Sequence, residues 1–276
     1  MKEKYSFLMS VYHKEKPEYL KLSIESMLNQ TVMPDEIIIV EDGPLTEELD
    51  NVIEKYYNES PELFNIIKLE KNGGLGNALN VGIKSCKNEL IARMDSDDIS
   101  LPERCEKQLI KFEENPSLSI VGTQIDEFID DPRNVVSSRI VPITNEEIKK
   151  FARRRSPFNH PTVMYKKSAI LELDGYQTSG RKEDLDLFVR LVNNNYKALN
   201  LEESLLLYRS NTDNMERRRT WKNCSEYIAI MFNFYRRGYC SLIDLVYVTI
   251  GQMTILLVPI RLANYLNQKY LRKKNV

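Results

Sequence analysis

Four short apolar runs alternate with segments of helical character in the first third of the chain. Residues 5–11 form the first run, and residues 36–40 form a β-branched run bounded by Pro34 and by an Asp-Gly-Pro turn. Residues 63–69 and 89–94 form the third and fourth. Runs this short and this apolar are typical of strands buried on both faces. Their alternation with helices predicts right-handed βαβ units and an α/β fold with a mainly parallel central sheet.

The pattern continues less regularly beyond residue 98. We expect helices over residues 102–114 and 184–194, strands over residues 118–124 and 160–165, and a turn-rich stretch over residues 132–141. No internal repeat and no long Gly/Ser linker interrupts residues 1–208. The sequence therefore predicts one domain over about residues 1–210 and a helical extension over residues 211–276.

Charge is distributed unevenly along the chain. The 276 residues hold 39 Lys and Arg against 40 Asp and Glu, which excludes a generic polyanion binder such as a nucleic-acid-binding protein. Residues 209–276 nevertheless carry a net charge of +8, and residues 1–208 carry −9. An acidic body is joined to a basic tail.

The cysteines and the amino-terminal segment indicate a reducing compartment. Cys86, Cys105, Cys224 and Cys240 lie far apart without a CxxC pair, so neither a disulfide framework nor a zinc site is predicted. The apolar run at residues 5–11 is too short for a secretory signal and lacks a small-residue cleavage site. We expect a cytoplasmic protein.

The segment 93–98, Arg-Met-Asp-Ser-Asp-Asp, follows the fourth predicted strand. Three carboxylates so close together repel one another, and a hard divalent cation relieves that repulsion. Mg²⁺ and Mn²⁺ take oxygen ligands, typically carboxylates with substrate phosphates and water. The alternative is that the acids complement a helix start, because Ser100 and Glu103 have capping-box spacing. Capping needs one acid, so we favour the metal site.

Two further acid pairs each have a structural and a functional interpretation. Glu41-Asp42-Gly43 follows the second strand, where a carboxylate can accept a hydrogen bond from a base or a ribose, although Asp-Gly-Pro is also strong turn chemistry. Glu183-Asp184 opens the later amphipathic helix. These acids are either ordinary amino-terminal helix charges or a catalytic base held on a fixed element.

A glycine-rich stretch over residues 71–80 joins the third strand to a helix. Glycines allow a ligand to approach the backbone, and a helix amino terminus favours phosphate. The dinucleotide fingerprint GxGxxG is not met, because the final position holds Leu79. A purely structural turn is the alternative.

Isolated basic residues carry weaker signals. His160 is more often a packed or capping residue than a ligand. The triplets at residues 153–155 and 217–219 are usually solvated, although beside an anionic substrate or a membrane they can bind diphosphate or lipid headgroups.

Taken in order, these motifs resemble glycosyltransferase family 2 over about residues 4–210. The motifs are Ser10-Val11-Tyr12, residues 38–43, Asn72-Gly73-Gly74 with Ala78 and Asn80, Asp95-Ser96-Asp97-Asp98 and Glu183-Asp184. Residues 91–94 and 159–162 are similar to its bacterial surface-polysaccharide branch, the galactosyl- or glucosyltransferase type. Each motif is weak alone, but five in this order are specific.

The resemblance implies a GT-A nucleotide-sugar fold with Rossmann-like character and inverting transfer of a hexose from a UDP-sugar, with Mn²⁺ or Mg²⁺ as cofactor. The acceptor would be lipid-diphosphate-linked or an oligosaccharide, in capsule, O-antigen or exopolysaccharide synthesis. Residues 1–100 would bind the nucleotide-sugar and residues 101–210 would form the acceptor side. A noncatalytic nucleotide-sugar-binding regulator and a sugar nucleotidyltransferase are the rival functions. The latter would carry a Gly-rich, basic loop after its first strand, where this chain has Tyr12-His13-Lys14.

The family's roles transfer to matching positions only. The resemblance places the nucleotide-binding residues in three groups: Ser10, Tyr12, Glu41 and Asp42 at the uridine, Asn72, Gly73, Gly74 and Asn77 beside the nucleotide, and Arg93, Asp95 and Ser96 near the ribose and donor. It implies that Asp97 binds the metal and that Asp184 is the general base. Glu183 and His160 would contact the donor or the acceptor. The chain departs from the family in having Glu41-Asp42-Gly43-Pro44 for the commoner Asp-Asp-Gly-Ser. It also lacks the His that often follows Arg209.

The tail contains sixteen residues, 245–260, without a formal charge. As a helix they span about 24 Å, short of the roughly 30 Å hydrocarbon core of a bilayer. Gln252 and Pro259 also interrupt them. An interfacial helix on the cytoplasmic membrane face is therefore expected rather than a spanning one. The alternative is a helical cap that packs on the catalytic domain or forms a homodimer.

Overall fold

The computed structural model of the protein describes residues 4–177, 182–210 and 220–258. The basic triplet at 217–219 and the basic stretch at 269–274 lie outside these ranges. The strands are β1 Tyr5–Val11, β2 Glu36–Glu41, β3 Phe64–Lys68, β4 Leu90–Asp95, β5 Ile99–Ser100, β6 Leu118–Phe128, β7 Val135–Arg139, β8 Met164–Lys166 and β9 Lys197–Arg209. The helices are α1 Pro17–Leu28, α2 Glu47–Glu59, α3 Leu75–Ser85, α4 Arg104–Glu114, α5 Asn145–Ala152, α6 Lys167–Glu172, α7 Glu183–Asn193, α8 Trp221–Arg236 and α9 Leu242–Leu257.

The first four strands form the parallel half of the sheet, in the order β3-β2-β1-β4. All four strands agree with the predicted runs to within one residue at each boundary, and a helix follows each of the first three strands as expected. β1 and β2 are buried almost throughout, as their continuous apolar runs require. The carboxyl ends of β1, β2 and β4 therefore meet at one edge of the sheet.

The second half of the sheet is mixed. β8 pairs antiparallel with β4 and with β6, whereas β6 and β9 run parallel. The turn-rich stretch predicted over 132–141 contains strand β7, which pairs antiparallel with β6. The strand predicted over residues 160–165 is wrong in its first half, where His160–Thr162 is a 3₁₀ turn. Pro161 provides no N–H for a sheet and suits the first positions of a helical turn.

Two apolar clusters cover the two faces of the sheet. The first contains Leu8, Ile38 and Ile91 from the strands and is covered by α3, α5, α6 and α7. The second contains Phe7, Ile37 and Ile39 and is covered by α1, α2 and α4. Alternate residues of each strand thus serve opposite cores.

The described part of the extension packs on the α/β domain that precedes it. Buried residues of α8 and α9 belong to the same cluster as α5 and α7; they are Ile230, Met231, Phe234 and Val248. Arg154, which follows α5, donates a 2.6 Å hydrogen bond from Nε to Oδ1 of Asp244, and Asp244 also closes the capping box of α9. Residues 220–258 therefore form a helical cap, the arrangement named above as the alternative.

The outer face of α9 is apolar and exposed. Ile243 and Leu257 are each 75% exposed, Ile250 is 61% exposed and Val246 is 49% exposed. Across the described ranges, no helix combines the length and the apolar character needed to span a bilayer.

Candidate active site

The predicted nucleotide residues lie where β1, β2 and β4 end. Ser10 is in register with Asp95 on the neighbouring strand β4. Tyr12 follows β1 and is 42% exposed, which leaves its ring open to a ligand. Ligands of open α/β sheets bind beyond the carboxyl ends of the strands, and this edge is such a position.

Three carboxylates lie together after β4. Asp95, Asp97 and Asp98 each place one carboxylate oxygen within 4.8 Å of the others. Burial, followed by the charges of Asp95 and Glu15, raises the pKa of Asp97 to about 7. Burial, followed by the charges of Asp97 and Asp95, holds the pKa of Asp98 well above its usual range. The raised pKa values reflect the destabilisation of the ionised carboxylates by burial and by their mutual repulsion.

The cluster fits a hard divalent cation. Its donors are all carboxylate oxygens, and Oδ2 of Asp98 is buried without a hydrogen-bond partner among the described residues. A cation at this position would relieve the repulsion and satisfy the carboxylates. Sequence reasoning selected Asp97 as the ligand and gave Asp98 no role.

The capping-box alternative for this segment is wrong. Ser100 lies in β5, where its hydroxyl accepts a 3.1 Å hydrogen bond from Nε2 of Gln30. Helix α4 begins later, at Arg104, and its N-cap Glu103 makes no side-chain capping bond. The helix start therefore does not use these acids.

Arg209 at the end of β9 holds the acidic loop in place. Its backbone N–H donates to Oδ1 of Asp98 and its Nε–H donates to the carbonyl oxygen of Asp97, each at 2.9 Å. Its guanidinium lies 3.8 Å from the ring centroid of Tyr19 and 4.5 Å from that of Phe128. β9 was not predicted from the sequence, so this support was missed.

Ser96 lies between the clustered acids and forms a hydrogen bond within the protein. It is buried, and its hydroxyl donates to the carboxylate of Glu15. The contact draws the loop after β1 against the loop after β4. Ser96 therefore helps to bring these two loops together.

Asp42 organises the glycine turn. Its two carboxylate oxygens accept hydrogen bonds from the N–H groups of Gly73, at 2.7 Å, and Gly74, at 3.0 Å. The side-chain amide of Asn72 donates to the carbonyl oxygen of Asp42 at 3.1 Å. The side chain of Asn77 lies directly against Gly73. The turn predicted beside the nucleotide is thus built onto the end of β2.

Glu41 points away from Asp42. It is buried and forms a 3.1 Å ion pair with Lys68 on β3. Strand alternation places Glu41 on the face that α2 covers, with Ile37 and Ile39. Burial raises its pKa, with Lys68 opposing the shift.

A second polar cluster lies on the opposite face, around Arg93. This side chain is 1% exposed and pairs with the carboxylate of Asp95, but its Nε and Nη1 have no partner among the described residues. Oε2 of Glu183 is also buried without a hydrogen-bond partner among the described residues. Burial, followed by the charge of Asp184, raises the pKa of Glu183 to about 7. Unpaired buried polar atoms of this kind mark places where a ligand is expected.

His160 belongs to this cluster as a packed residue. Its Nε2 lies 2.8 Å from the hydroxyl of Tyr176, and its ring contacts Phe188 edge-on. Burial and the charge of Arg93 hold its pKa well below the usual value, so the ring is neutral. Tyr176 was absent from the sequence prediction. Asn80 fixes it through two 2.8 Å hydrogen bonds to its backbone.

Asp184 stands in the first turn of α7 and lines a cleft of about 1510 Å³. Glu183, its neighbour, packs against Gly76 at the start of α3. The two adjacent acids therefore have different surroundings, one facing the cleft and the other buried. The cleft runs between the catalytic body and helices α8 and α9.

The family model of glycosyl transferase family 2 matches residues 6–178, which include the acidic cluster and the glycine turn. The chain belongs to glycosyltransferase family 2. The glycosyltransferase activity implied by the resemblance is thereby confirmed.

Two curated relatives of this family 2 glycosyltransferase carry informative names. The amylovoran biosynthesis glycosyltransferase AmsE of Erwinia amylovora is 38% identical over 232 residues, 84% of each chain. The UDP-Gal:alpha-D-GlcNAc-diphosphoundecaprenol beta-1,3-galactosyltransferase of Escherichia coli is 34% identical over 273 residues, 98% of this chain and 97% of the relative.

A solved structure shares the fold of this glycosyltransferase. The mannosyltransferase PcManGT of Pyrobaculum calidifontis, in complex with GDP-Man and Mn²⁺, superposes with a TM-score of 0.65. The match covers 98% of this chain and 76% of the mannosyltransferase at 12% identity. The likeness at this identity concerns the fold alone.

Proposed function

We propose that this family 2 glycosyltransferase moves a hexose, of the galactose or glucose type, from a UDP-sugar to an acceptor hydroxyl with inversion at the anomeric carbon. The observation that carries the proposal is the arrangement of Asp95, Asp97 and Asp98 at the nucleotide edge of the sheet, with Asp184 at the head of a large cleft. One edge offers a site for an activated donor and the neighbouring cleft offers room for an acceptor.

The nucleotide site would use the loops after β1 and β2. Ser10 and Tyr12 flank the position of the uridine, and Asp42 keeps the glycine turn close to it. The carboxylate of Asp42 already accepts two backbone N–H bonds, so its main contribution is to fix the turn. Glu41 faces the other side of the sheet and contributes through its ion pair with Lys68.

Asp97, with Asp95 beside it, would hold Mn²⁺ or Mg²⁺. The bound cation supplies charge stabilisation for the departing diphosphate. Arg209 keeps the loop in shape, because it bonds both Asp98 and the backbone of Asp97. The Mn²⁺ named with the mannosyltransferase agrees with this metal chemistry.

Asp184 is the proposed general base. It faces the cleft, whereas Glu183 is buried against α3, and this burial raises the pKa of Glu183 to about 7. A base must reach the hydroxyl whose proton it takes, and only the cleft-facing acid meets that condition. As the acceptor oxygen forms the new glycosidic bond, Asp184 takes its proton and the bond to UDP breaks. Arg93 and Glu183 would contact the donor sugar, and their buried atoms without a partner among the described residues support this role.

The acceptor we propose is a sugar on a lipid diphosphate, or a related oligosaccharide, in bacterial surface-polysaccharide synthesis. The activity for which the Escherichia coli relative is named supports this acceptor class, and the name of the Erwinia relative supports the process. The exposed apolar face of α9 supports peripheral attachment to the cytoplasmic membrane surface, where such an acceptor would be met. A homodimer through the same face is the competing arrangement, and size-exclusion chromatography of the full chain separates the two.

Donor hydrolysis provides the direct test of the enzymatic proposal. The protein is incubated with Mn²⁺ and a panel of UDP-sugars, and UDP release is measured over hours. Slow release from one UDP-hexose identifies the donor and excludes a noncatalytic binding protein. Formation of a UDP-sugar from UTP and a sugar phosphate would instead identify a nucleotidyltransferase, and failure of every donor would contradict the proposal.

A further inference from the structure

The cleft that Asp184 lines is basic, although it lies in an acidic body. Six cationic side chains line it against three acids; the cations are Arg139, Lys150, Arg153, Arg154, Arg155 and Lys182. Residues 1–208 as a whole carry −9. A local excess of positive charge in such a body indicates an anionic ligand.

Two of the three acids are already engaged. Glu147 closes the capping box of α5 with Thr144, and Asp244 closes that of α9 while pairing with Arg154. The third acid is Asp184, the proposed base. Neither Glu147 nor Asp244 forms an ion pair with Lys150 or Arg153.

Arg153 and Lys150 are the cations of the cleft that we consider available to bind a ligand. Arg153 caps the carboxyl end of α5, and neither side chain forms an ion pair with another described residue. Arg154, in contrast, is committed to Asp244 and lies 4.4 Å from the ring centroid of Tyr247. Guanidinium and ammonium groups grouped around a cleft suit a diphosphate, which offers many oxygen acceptors.

The cleft also connects the base to the apolar helix. Asp184 lies among its lining residues, and so do Tyr247, Val248 and Ile255 of α9. Ile243 and Ile250, on the same helix, form part of its exposed apolar face. The lining of one cleft thus combines a carboxylate, cations and hydrocarbon.

We propose that this cleft is a diphosphate subsite for the acceptor, in which Lys150 and Arg153 bind the diphosphate while the sugar hydroxyl meets Asp184 and the lipid chain leaves along α9. The proposal rests on the proposed glycosyl transfer and adds the residues that recognise the acceptor. The shared ligand chemistry is a phosphate ester on a lipid. Its source is the acceptor rather than a bulk phospholipid headgroup, because Asp184, the proposed general base, lines the same cleft.

The test compares two double variants of equal charge. Lys150→Gln/Arg153→Gln removes the subsite cations, whereas Lys149→Gln/Arg133→Gln removes two exposed cations that do not line the cleft. Binding of a short alkyl diphosphate without a sugar is measured calorimetrically, with the donor site saturated by UDP and Mn²⁺. We expect wild type and the control to bind it, and the cleft variant to bind it at least tenfold more weakly with unchanged UDP affinity.

Two further measurements separate the possible outcomes. Acceptor KM should rise at least tenfold in the cleft variant for a sugar diphosphate lipid but not for a matching alkyl glycoside, with kcat retained. Equal binding of the alkyl diphosphate by both double variants overturns the subsite. So does loss of binding to phosphatidylglycerol vesicles without loss of alkyl diphosphate binding, since the cations would then serve headgroups. UDP release from the donor alone tests the enzymatic proposal separately, because it needs no acceptor.

Discussion

The backbone N–H of Arg209 donates a 2.9 Å hydrogen bond to the carboxylate of Asp98, a residue 111 positions earlier in the chain. The bond joins the last strand of the sheet to the acidic loop after β4. Arg209 adds a second bond to the backbone of Asp97 and rests on Tyr19. The geometry of the acidic loop therefore depends on a strand from the second, mixed half of the sheet.

Arg209→Lys should weaken both the fold and the metal site. Lysine keeps the charge but lacks the Nε–H that bonds the carbonyl of Asp97 and the plane that stacks on Tyr19. Because Arg209 is buried, we expect a loss of about 1–3 kcal/mol in the free energy of unfolding. Urea denaturation measures it, and Mn²⁺ affinity should fall several-fold. Unchanged Mn²⁺ affinity would show that the loop keeps its shape without this support.

Asp184→Asn should abolish transfer while UDP affinity stays nearly intact. Loss of a positioned base costs roughly 10²- to 10⁴-fold in rate. The amide is nearly the same size as the carboxylate, so the fold should be retained. Transfer is measured with a UDP-hexose and a sugar-lipid acceptor, and UDP affinity by calorimetry. Robust transfer by this variant would remove Asp184 from the mechanism.

Asp97→Ala should weaken metal-dependent UDP binding. Chelation with EDTA should weaken UDP binding by wild type in the same way, and added Mn²⁺ should restore wild type only. Glu62→Ala is the matched control, because Glu62 is an exposed acid preceding β3, at the opposite edge of the sheet. If Asp97→Ala binds UDP and Mn²⁺ as wild type does, the cation is held elsewhere.

Mn²⁺ affinity should rise with pH. The pKa of Asp97 is raised to about 7, so that protons compete with the metal for this carboxylate below neutrality. We expect the apparent affinity to increase by up to about tenfold per pH unit below pH 7 and to level off above it. Titrations from pH 5.5 to 8 would show this slope, and a flat profile would contradict competition at Asp97.

Glu183 should make the metal-free protein less stable as pH rises. Its pKa is about 7 in the folded protein against an ordinary 4.5, so the folded state binds its proton more tightly than the unfolded state does. The free energy of unfolding should therefore fall between pH 4.5 and 7. Glu183→Gln should flatten part of this decline, leaving the decline due to Asp97. Urea melts across the range compare the two proteins, and parallel profiles would contradict the assignment.

Gly43→Ala should destabilise the protein more than Gly238→Ala. Both glycines have positive φ, 86° and 75°, so both substitutions strain the backbone by roughly 1–2 kcal/mol. A Cβ at Gly43 would also lie 2.6 Å from the backbone nitrogen of Asn72, whereas a Cβ at Gly238 meets nothing within 4 Å. Thermal melting measures the difference. Equal losses would mean that the glycine turn moves freely.

The parallel half of the fold follows from local sequence. Its strands are continuous apolar runs, its helices have apolar residues at helical spacing, and turn residues separate them, so each boundary has a nearby cause. The acidic cluster and the glycine turn were predicted for the same reason, because both stand at strand ends. Asp95 and Asp97 lie together after β4, and Asp42 holds the glycine turn at the end of β2.

The mixed half could not be predicted in this way. β9 contains Glu202 and Glu203, and its partner β6 lies far earlier in the sequence. Its strand character therefore depends on this partner rather than on its own residue pattern. For the same reason Arg209 and Tyr176 were not assigned to the site. Glu41 was grouped with Asp42, although strand alternation sends it to the other face.

The amino-acid sequence alone therefore established the family, the ends of the parallel strands and the acids that follow them, because these depend on short-range spacing. Folding in three dimensions determined which of two adjacent acids, Glu183 or Asp184, faces the cleft, and it set the basic residues after α5 against the helical cap. The physical reason is that burial, pKa and cleft charge arise from contacts between segments far apart in the chain. The basic tail could be recognised from composition, but its packing on α5 and α7 could not.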